Sequence, residues 1–312
     1  MNKFKKIKKY FIGYIKGTKE RFFVNSKLGF YNHLSDREYL EKEYKAVMGY
    51  PMDFDNPKRF TEKLQWLKVY NRKPIYSDMV DKYKAKEFVA QRIGEEHIIP
   101  LLGVWDRFED IDFDVLPDQF VLKCNHDSAG LVICKDKSKL NKKAAAKKLN
   151  RCLKRDYSFL GKEWPYKNVK PKIIAEKYMI DSETNELRDY KFFCCNGKVK
   201  CFRIDFDRFI AHKTNYYDPQ GNPMMFGLAD YPPDYTRDVK IPKNLDKMIE
   251  YAEILSSDTP FLRVDFYEVD NVVYFGELTF YPGSGYSKFT DDKWDFTFGD
   301  WITLPEKKEE NI

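Results

Sequence analysis

The sequence predicts an α+β protein: a helical first third, then β-hairpins interspersed with helices. Three observations carry this. Up to about residue 95 the apolar residues recur at helical spacing. From Ile98 onward, short apolar runs are punctuated by Gly, Asn and Asp. Asn196-Gly197 stands between two such runs, a strong hairpin signal because both residues of a two-residue turn need positive φ. At 312 residues the chain can bury one large core or two to three modest ones.

Composition narrows the class. The chain is 43% hydrophobic and 17% aromatic, which excludes a disordered protein. Net charge is +6, with the excess concentrated in the first twenty residues and around Lys135–Arg155. Such surfaces meet anionic lipid, phosphate ligands or nucleic acid, so charge alone selects no partner. The six cysteines show no C-x-x-C spacing and read as small buried hydrophobes in a reducing compartment. No run approaches the length of a membrane span, and the N-terminus lacks the pattern of a secretory signal. The expected location is therefore cytoplasmic. With four histidines and no spaced Cys/His cluster, a zinc site is not expected.

The elements follow in order. Residues 3–16 predict a basic amphipathic helix, with Phe4, Ile7, Phe11 and Tyr14 on one stripe and Lys5, Lys6, Lys8, Lys9 and Lys16 on other faces. It suits peripheral contact with an anionic membrane surface, or a helix packed on the body of the protein with a solvated lysine face. Ser35 to about Lys73 reads as helical and aromatic-rich. Ser77 and Gly94 bound a further expected helix running through Asp81 and Lys82. Gln119–Cys124 and Leu131–Cys134 predict a hairpin around the polar turn Asn125–Gly130, and residues 142–155 a helix. Lys172–Met179 predicts a strand. Arg188–Cys195 and Lys198–Ile204 flank the Asn-Gly turn, with Asp189, Lys191 and Phe193 on one face. Leu245, Met248, Ile249, Ala252 and Leu255 mark an amphipathic helix. The last hairpin pairs Phe261–Tyr267 with Val272–Phe280. The tail after Pro305 is charged.

Strand alternation in that last hairpin collects Arg263 and Asp265 on one face of its first strand, and Glu277 and Thr279 on one face of its second, opposite Tyr274, Leu278 and Phe280. A cation and two hard oxygen anions brought together this way suit Mg²⁺. The plain alternative is the solvated face of a half-exposed hairpin.

Arg263-x-Asp265, then Glu277-x-Thr279 and Pro282-Gly283, resembles the end of an ATP-grasp domain. A longer ordered string is similar to the TupA-like, teichuronopeptide-biosynthesis-type ATP-grasp proteins that accompany surface-polysaccharide loci. It comprises Asn56-Pro57-Lys58-Arg59-Phe60-Thr61-Glu62-Lys63-Leu64-Gln65-Trp66, Asp81-Lys82-Tyr83, Ile99-Pro100-Leu101-Leu102-Gly103-Val104-Trp105 and Phe120-Val121-Leu122-Lys123-Cys124-Asn125-His126. The resemblance implies an ATP-grasp fold, two α+β subdomains sandwiching ATP, with a helical N-terminal extension. The implied divisions are 1–50 (basic amphipathic), 51–115 (helical), 116–175 (central subdomain), 176–305 (C-terminal subdomain) and 306–312 (tail).

The same resemblance implies roles. Lys123 contacts the α/β-phosphates, and His126, Ser128 and Gly130 belong to the phosphate-covering loop. Glu176, with backbone around Lys177 and Met179, meets adenine. Asp189 meets the ribose, with Glu183 as rival, and Lys191 offsets phosphate or acyl-phosphate charge. Asp265, Glu277 and Thr279 hold two Mg²⁺ ions, with Thr279 standing where the family has Asn. Arg263 stabilises the acyl phosphate. Arg203, Arg208, His212 and Lys213 suit an anionic acceptor or a plain basic edge. The implied reaction is an ATP-dependent carboxylate–amine ligation, joining an amino acid to a sugar acid that is glycan- or lipid-linked, with no nucleic-acid partner. A sugar kinase on the same fold, or a non-catalytic ATP-binding scaffold, are the alternatives.

Overall fold

The computed structural model describes residues 12–15, 17, 19–183, 186–206 and 212–307. Most of the basic segment 3–16 lies outside these residues, as does Arg208; residues 12–15 are helical. Among the described residues no helix is long and apolar enough to cross a membrane.

The helical part comprises α1 (Lys19–Lys27), α2 (Asp36–Met48), α3 (Phe60–Tyr70), α4 (Ile75–Val80) and α5 (Lys84–Ile93). The expected helical stretch 35–73 is thus two helices. Ser35 starts α2 through a reciprocal capping box with Glu38, and Gly49 ends it in the left-handed region. The helix expected through Asp81 and Lys82 is broken there. Asp81 Oδ1 accepts from Tyr83 N (2.9 Å) and from Asn125 Nδ2 (2.9 Å), and Lys82 N donates to Asn125 O (3.0 Å). A side chain that satisfies nearby N–H groups this way competes with the helix ladder. The break docks Lys82 against the turn after a distant strand.

A four-stranded antiparallel sheet contains β1 (Leu101–Trp105), β2 (Phe120–Cys124), β3 (Leu131–Cys134) and β4 (Ile173–Lys177) in the order β1-β4-β2-β3. It takes its first strand from ahead of residue 116. Helix α6 (Lys142–Leu153) buries Ala145, Leu149 and Cys152 against Phe120, Leu122 and Cys124. A five-stranded antiparallel sheet contains β5 (Asp189–Cys195), β6 (Lys198–Phe206), β7 (Lys213–Tyr217), β8 (Phe261–Val269) and β9 (Val272–Thr279) in the order β7-β6-β5-β8-β9. Asn196 (φ 50°) and Gly197 (φ 75°) make the expected turn between β5 and β6.

Helix α7 (Leu245–Ser256) packs on β5, β6 and β8 through Met248, Ala252 and Leu255, sealing the face that carries Phe192, Phe202, Val264 and Phe266. On the other face Phe193, Tyr216 and Phe261 end in an aromatic cap with Phe60 of α3 and Phe298 of α8 (Lys293–Asp300). The N-terminal helices and the five-stranded sheet therefore share one core. All six cysteines are buried and unpaired.

The last hairpin departs from simple alternation. Asp265 pairs with Glu277 but Phe266 pairs with Phe275, so Gly276 is a bulge. Tyr274 consequently pairs with Tyr267 and shares the charged face, not the face of Leu278 as strict alternation gave. A Cβ on Gly276 would come 2.9 Å from Asp265 O, so the bulge requires glycine.

Candidate active site

Register across the five-stranded sheet assembles the site. Arg203, Lys191, Asp265 and Glu277 lie in one row across β6, β5, β8 and β9, with Arg263 opposite Thr279 two residues along. Lys191 Nζ donates to Asp189 Oδ2 (2.5 Å) and Asp265 Oδ2 (2.6 Å). Arg263 donates from Nε to Asp265 Oδ1 (2.6 Å) and from Nη2 to Asp265 Oδ2 (2.7 Å), Glu277 Oε1 (2.8 Å) and Thr279 Oγ1 (3.1 Å). Burial, with Asp189 and Glu277 nearby, pushes the Asp265 carboxyl up, against the pull of Arg263 and Lys191. For Glu277 burial also acts upward, but Lys82, Arg263, Lys191 and Lys123 outweigh it and hold the carboxyl at about 2.

Lysines face this row. Glu176 on β4 accepts from Lys123 Nζ (2.5 Å) and Lys86 Nζ (2.8 Å). Burial alone would raise the Glu176 pKa; the two lysines hold it at about 2. Burial pushes Lys86 downward. Lys82 Nζ reaches Asp127 O (3.0 Å) in the 125–130 turn and lies 3.9 Å from Glu277 Oε2. Lys82 thus stands between the turn and the carboxylates, beside a small cavity lined also by Met79, Tyr166 and Gly276.

The turn is held by side chains more than by glycine. Asp127 Oδ1 accepts from Ala129 N and Gly130 N, and Asp127 Oδ2 from Arg155 Nη1 (3.0 Å). Ser128 Oγ meets Tyr157 Oη at 3.1 Å, and Tyr157 packs edge-on against Tyr166. His126 Nδ1 lies 3.3 Å from Asn125 Oδ1, its Nε2 is buried without a hydrogen-bond partner among the described residues, and burial lowers its pKa.

The turn after β9 rests on the helical region. Gly283 and Ser284 are left-handed, and fully buried Lys68 of α3 donates to Ser284 O (2.9 Å) and Gln65 Oε1 (2.8 Å). Burial lowers Lys68 to about 8 and raises neighbouring Glu163 to about 7.

The structure therefore brings Lys123, Glu176, Asp189, Lys191, Arg263, Asp265, Glu277 and Thr279 to one interface between the sheets. Met179 sits at one end of it, buried with Ile99 and Val269 under Tyr267 and Tyr274. Lys177 is exposed, its N–H donating to Pro100 O (3.0 Å). Glu183 is exposed and pairs with Lys243 at 3.3 Å, away from the row. Sequence reasoning assigned no role to Lys82, Lys86, Lys68 or Glu163. Lys82 and Lys86 stand four apart, a spacing that pairs residues along a helix. No sequence signal marks Lys68.

Two carboxylates that share one Nη2 atom at 2.7 and 2.8 Å converge closely enough to hold a divalent cation. Among the described residues no group of three or more His, Cys, Asp or Glu forms a complete cage. Mg²⁺ is bound by one or two carboxylates plus phosphate oxygens and water.

The TupA-like ATP-grasp family model matches residues 62–303, so the chain belongs to that family and has the ATP-grasp fold. No curated protein matches it in sequence. Similar solved structures include D-alanine–D-alanine ligase from Bacillus anthracis, 15% identical, TM-score 0.38, covering 72% of this chain and 59% of that one. The Helicobacter pylori D-alanine–D-alanine ligase is 15% identical, TM-score 0.42, with 79% and 70% covered. N5-carboxyaminoimidazole synthetase from Staphylococcus aureus is 12% identical, TM-score 0.37, with 64% and 44% covered. The chain spans about three fifths of the Bacillus anthracis enzyme. Likenesses this remote say nothing of substrate.

Proposed function

We propose that this protein is an ATP- and Mg²⁺-dependent carboxylate–amine ligase that joins an amino acid to a sugar acid in capsular or other surface-polysaccharide synthesis. The observation that carries the reading is the convergence of buried Arg263, Lys191 and Asp265 with half-buried Glu277 on one sheet face, near Lys82 and Lys123. Lysines thus face paired carboxylates, Lys82 coming within 3.9 Å of Glu277, with an arginine beside them.

Each residue has a task. Lys82 and Lys123 offset phosphate charge from the four-stranded-sheet side, and Glu176 orients Lys123 and Lys86. His126, Ser128 and Gly130 cover the phosphates. Met179 and backbone near Lys177 form the apolar end suited to a purine base, and Asp189 meets the ribose. Asp265 and Glu277 would hold a first Mg²⁺, with the Thr279 hydroxyl available to a second; the ions supply neutralisation of the phosphate oxygens. Arg263 and Lys191 hold the reacting carboxylate in line. In the first step that carboxylate takes the γ-phosphoryl group and ADP leaves. In the second the amine attacks the acyl carbon, phosphate leaves, and the amine releases a proton. The chain contributes positioning and preset charge rather than covalent chemistry.

The basic segment 3–16 would keep the enzyme at the inner face of the plasma membrane, near lipid-linked precursors. The test is phosphate release over amino acids crossed with uronic sugars, with mass analysis of the product. An amide product with free phosphate is expected. A phosphorylated sugar would replace the ligase reading with a kinase, and no Mg·ATP binding would remove both.

A further inference from the structure

A second Arg-x-Asp lies on β6. Arg203 and Asp205 share the site face, as Arg263 and Asp265 do on β8, and the two pairs flank β5 with Lys191 between them. Both arginines use the same edge. Arg203 Nε lies 2.7 Å from Asp205 Oδ1 and Nη2 3.1 Å from Asp205 Oδ2. A guanidinium has a side fork, Nε with Nη2, and an end fork, Nη1 with Nη2, either of which matches a carboxylate. Asp205 faces the side fork, accepting from Nη2 and standing at ion-pair distance from Nε. On the end fork, Nη1 has Tyr216 Oη at 3.5 Å. His212 Nε2 lies 3.5 Å from Asp205 Oδ2, with its ring on Tyr231. Arg203 is 8% exposed, the same as Arg263.

A buried ion pair is a poor way to stabilise a core, because well-packed apolar residues often serve as well or better. Placed in register with Lys191, this pair has another use. The order across the face is Lys82, Glu277, Asp265, Lys191, Arg203, so phosphate chemistry lies at the β9 side and Arg203 at the far side. A nucleophile attacking the activated carboxyl comes from the side away from the phosphates. The sugar acid's carboxylate is consumed in the reaction; the carboxylate of an amino-acid donor is not, and it needs a partner.

Resting on the ligase reading above, we propose that Arg203, oriented by Asp205 and flanked by Tyr216 and His212, binds the carboxylate of the amine donor and so selects α-amino acids over simple amines. The test measures thermal stabilisation of the full chain with Mg²⁺ and a non-hydrolysable ATP analogue, adding each common L- and D-amino acid or its matched amine lacking the carboxylate. One or a few amino acids should stabilise the wild type while their matched amines do not. Arg203→Met should raise the half-saturating amino-acid concentration about 30- to 100-fold, the loss of one charge-assisted fork. Arg203→Lys, which keeps charge without the fork, should fall between, and serves if the Met variant does not fold. Equal responses to amino acids and amines would overturn the proposal. So would an unchanged half-saturation in both variants, or no response to any amino acid. The ligase reading fails separately, if no carboxylate promotes oxygen-isotope exchange within ATP in the wild type.

Discussion

Glu176→Gln removes the anion that Lys123 and Lys86 share at 2.5 and 2.8 Å. The Glu176 carboxyl titrates at about 2 in the folded protein against 4.5 as its ordinary value. A depressed acid stabilises the fold above its unfolded pKa and loses that contribution as pH falls toward its folded one. A shift of this size is worth on the order of 3 kcal/mol at pH 7, and about half that by pH 3. Glu176→Gln should therefore unfold at lower urea concentration than wild type at neutral pH, with the gap narrowing steadily as the medium is acidified. Tryptophan fluorescence follows the transition at a series of pH values. A gap below about 0.5 kcal/mol at pH 7, the size of an ordinary surface substitution, would refute the lysine clamp. A gap that does not shrink toward pH 3 would refute its electrostatic origin.

Asp265→Asn and Glu277→Gln should each lower phosphate release by about 100-fold or more, since each removes a carboxylate that would hold the Mg²⁺ neutralising the phosphate oxygens; magnesium titration of the residual rate checks this. Lys82→Met should raise the Glu277 pKa, because Lys82 is the largest of the cations holding it down, and weaken ATP binding, read by nucleotide titration. The Lys68–Glu163 pair sets a different pH response. Glu163, raised to about 7, makes stability fall between pH 4.5 and 7; Lys68, lowered to about 8, makes it recover between 8 and 10.5. Lys68→Met should remove the alkaline recovery and extend the fall beyond pH 7, whereas Lys68→Met with Glu163→Gln should flatten both, as urea midpoints from pH 5 to 10 would report. Gly276→Val should cost about 1–3 kcal/mol by crowding Asp265 O, and should depress activity further by turning Glu277 from Asp265.

Strand alternation and one Asn-Gly turn carried the sheet well, because a half-buried strand must alternate and a two-residue turn must have positive φ. They placed Arg263 with Asp265 and Asp189 with Lys191. They misjudged Tyr274, since an extra residue at Gly276 reverses parity and no local propensity announces a bulge. The helix through Asp81 was read from caps that are real in pattern, yet Asn125, 44 residues away, captures Asp81 and ends α4. The same long-range contact hides Lys82, whose role depends on where the break points it. Lys68 was invisible for a related reason. Within α3 it reads as a solvated lysine, and only the turn at Ser284, far along the chain, turns it into a buried donor.

The bulge at Gly276 lies on β9, and its neighbour β8, in unbroken register with β5, works as a ruler. Along the site face of β8 come Tyr267 at the apolar end with Met179, then Asp265, then Arg263, then Phe261 in the aromatic cap. Successive marks are two residues apart, roughly 7 Å, so base-sized, phosphate-sized and acceptor-sized intervals are graduated in hydrogen-bond pitch. A substrate too short to reach from one mark to the next gains nothing from the rest of the scale. In the proposed reaction the nucleotide would span the first intervals and the sugar acid the one at Arg263, so each substrate would be read by the marks it reaches.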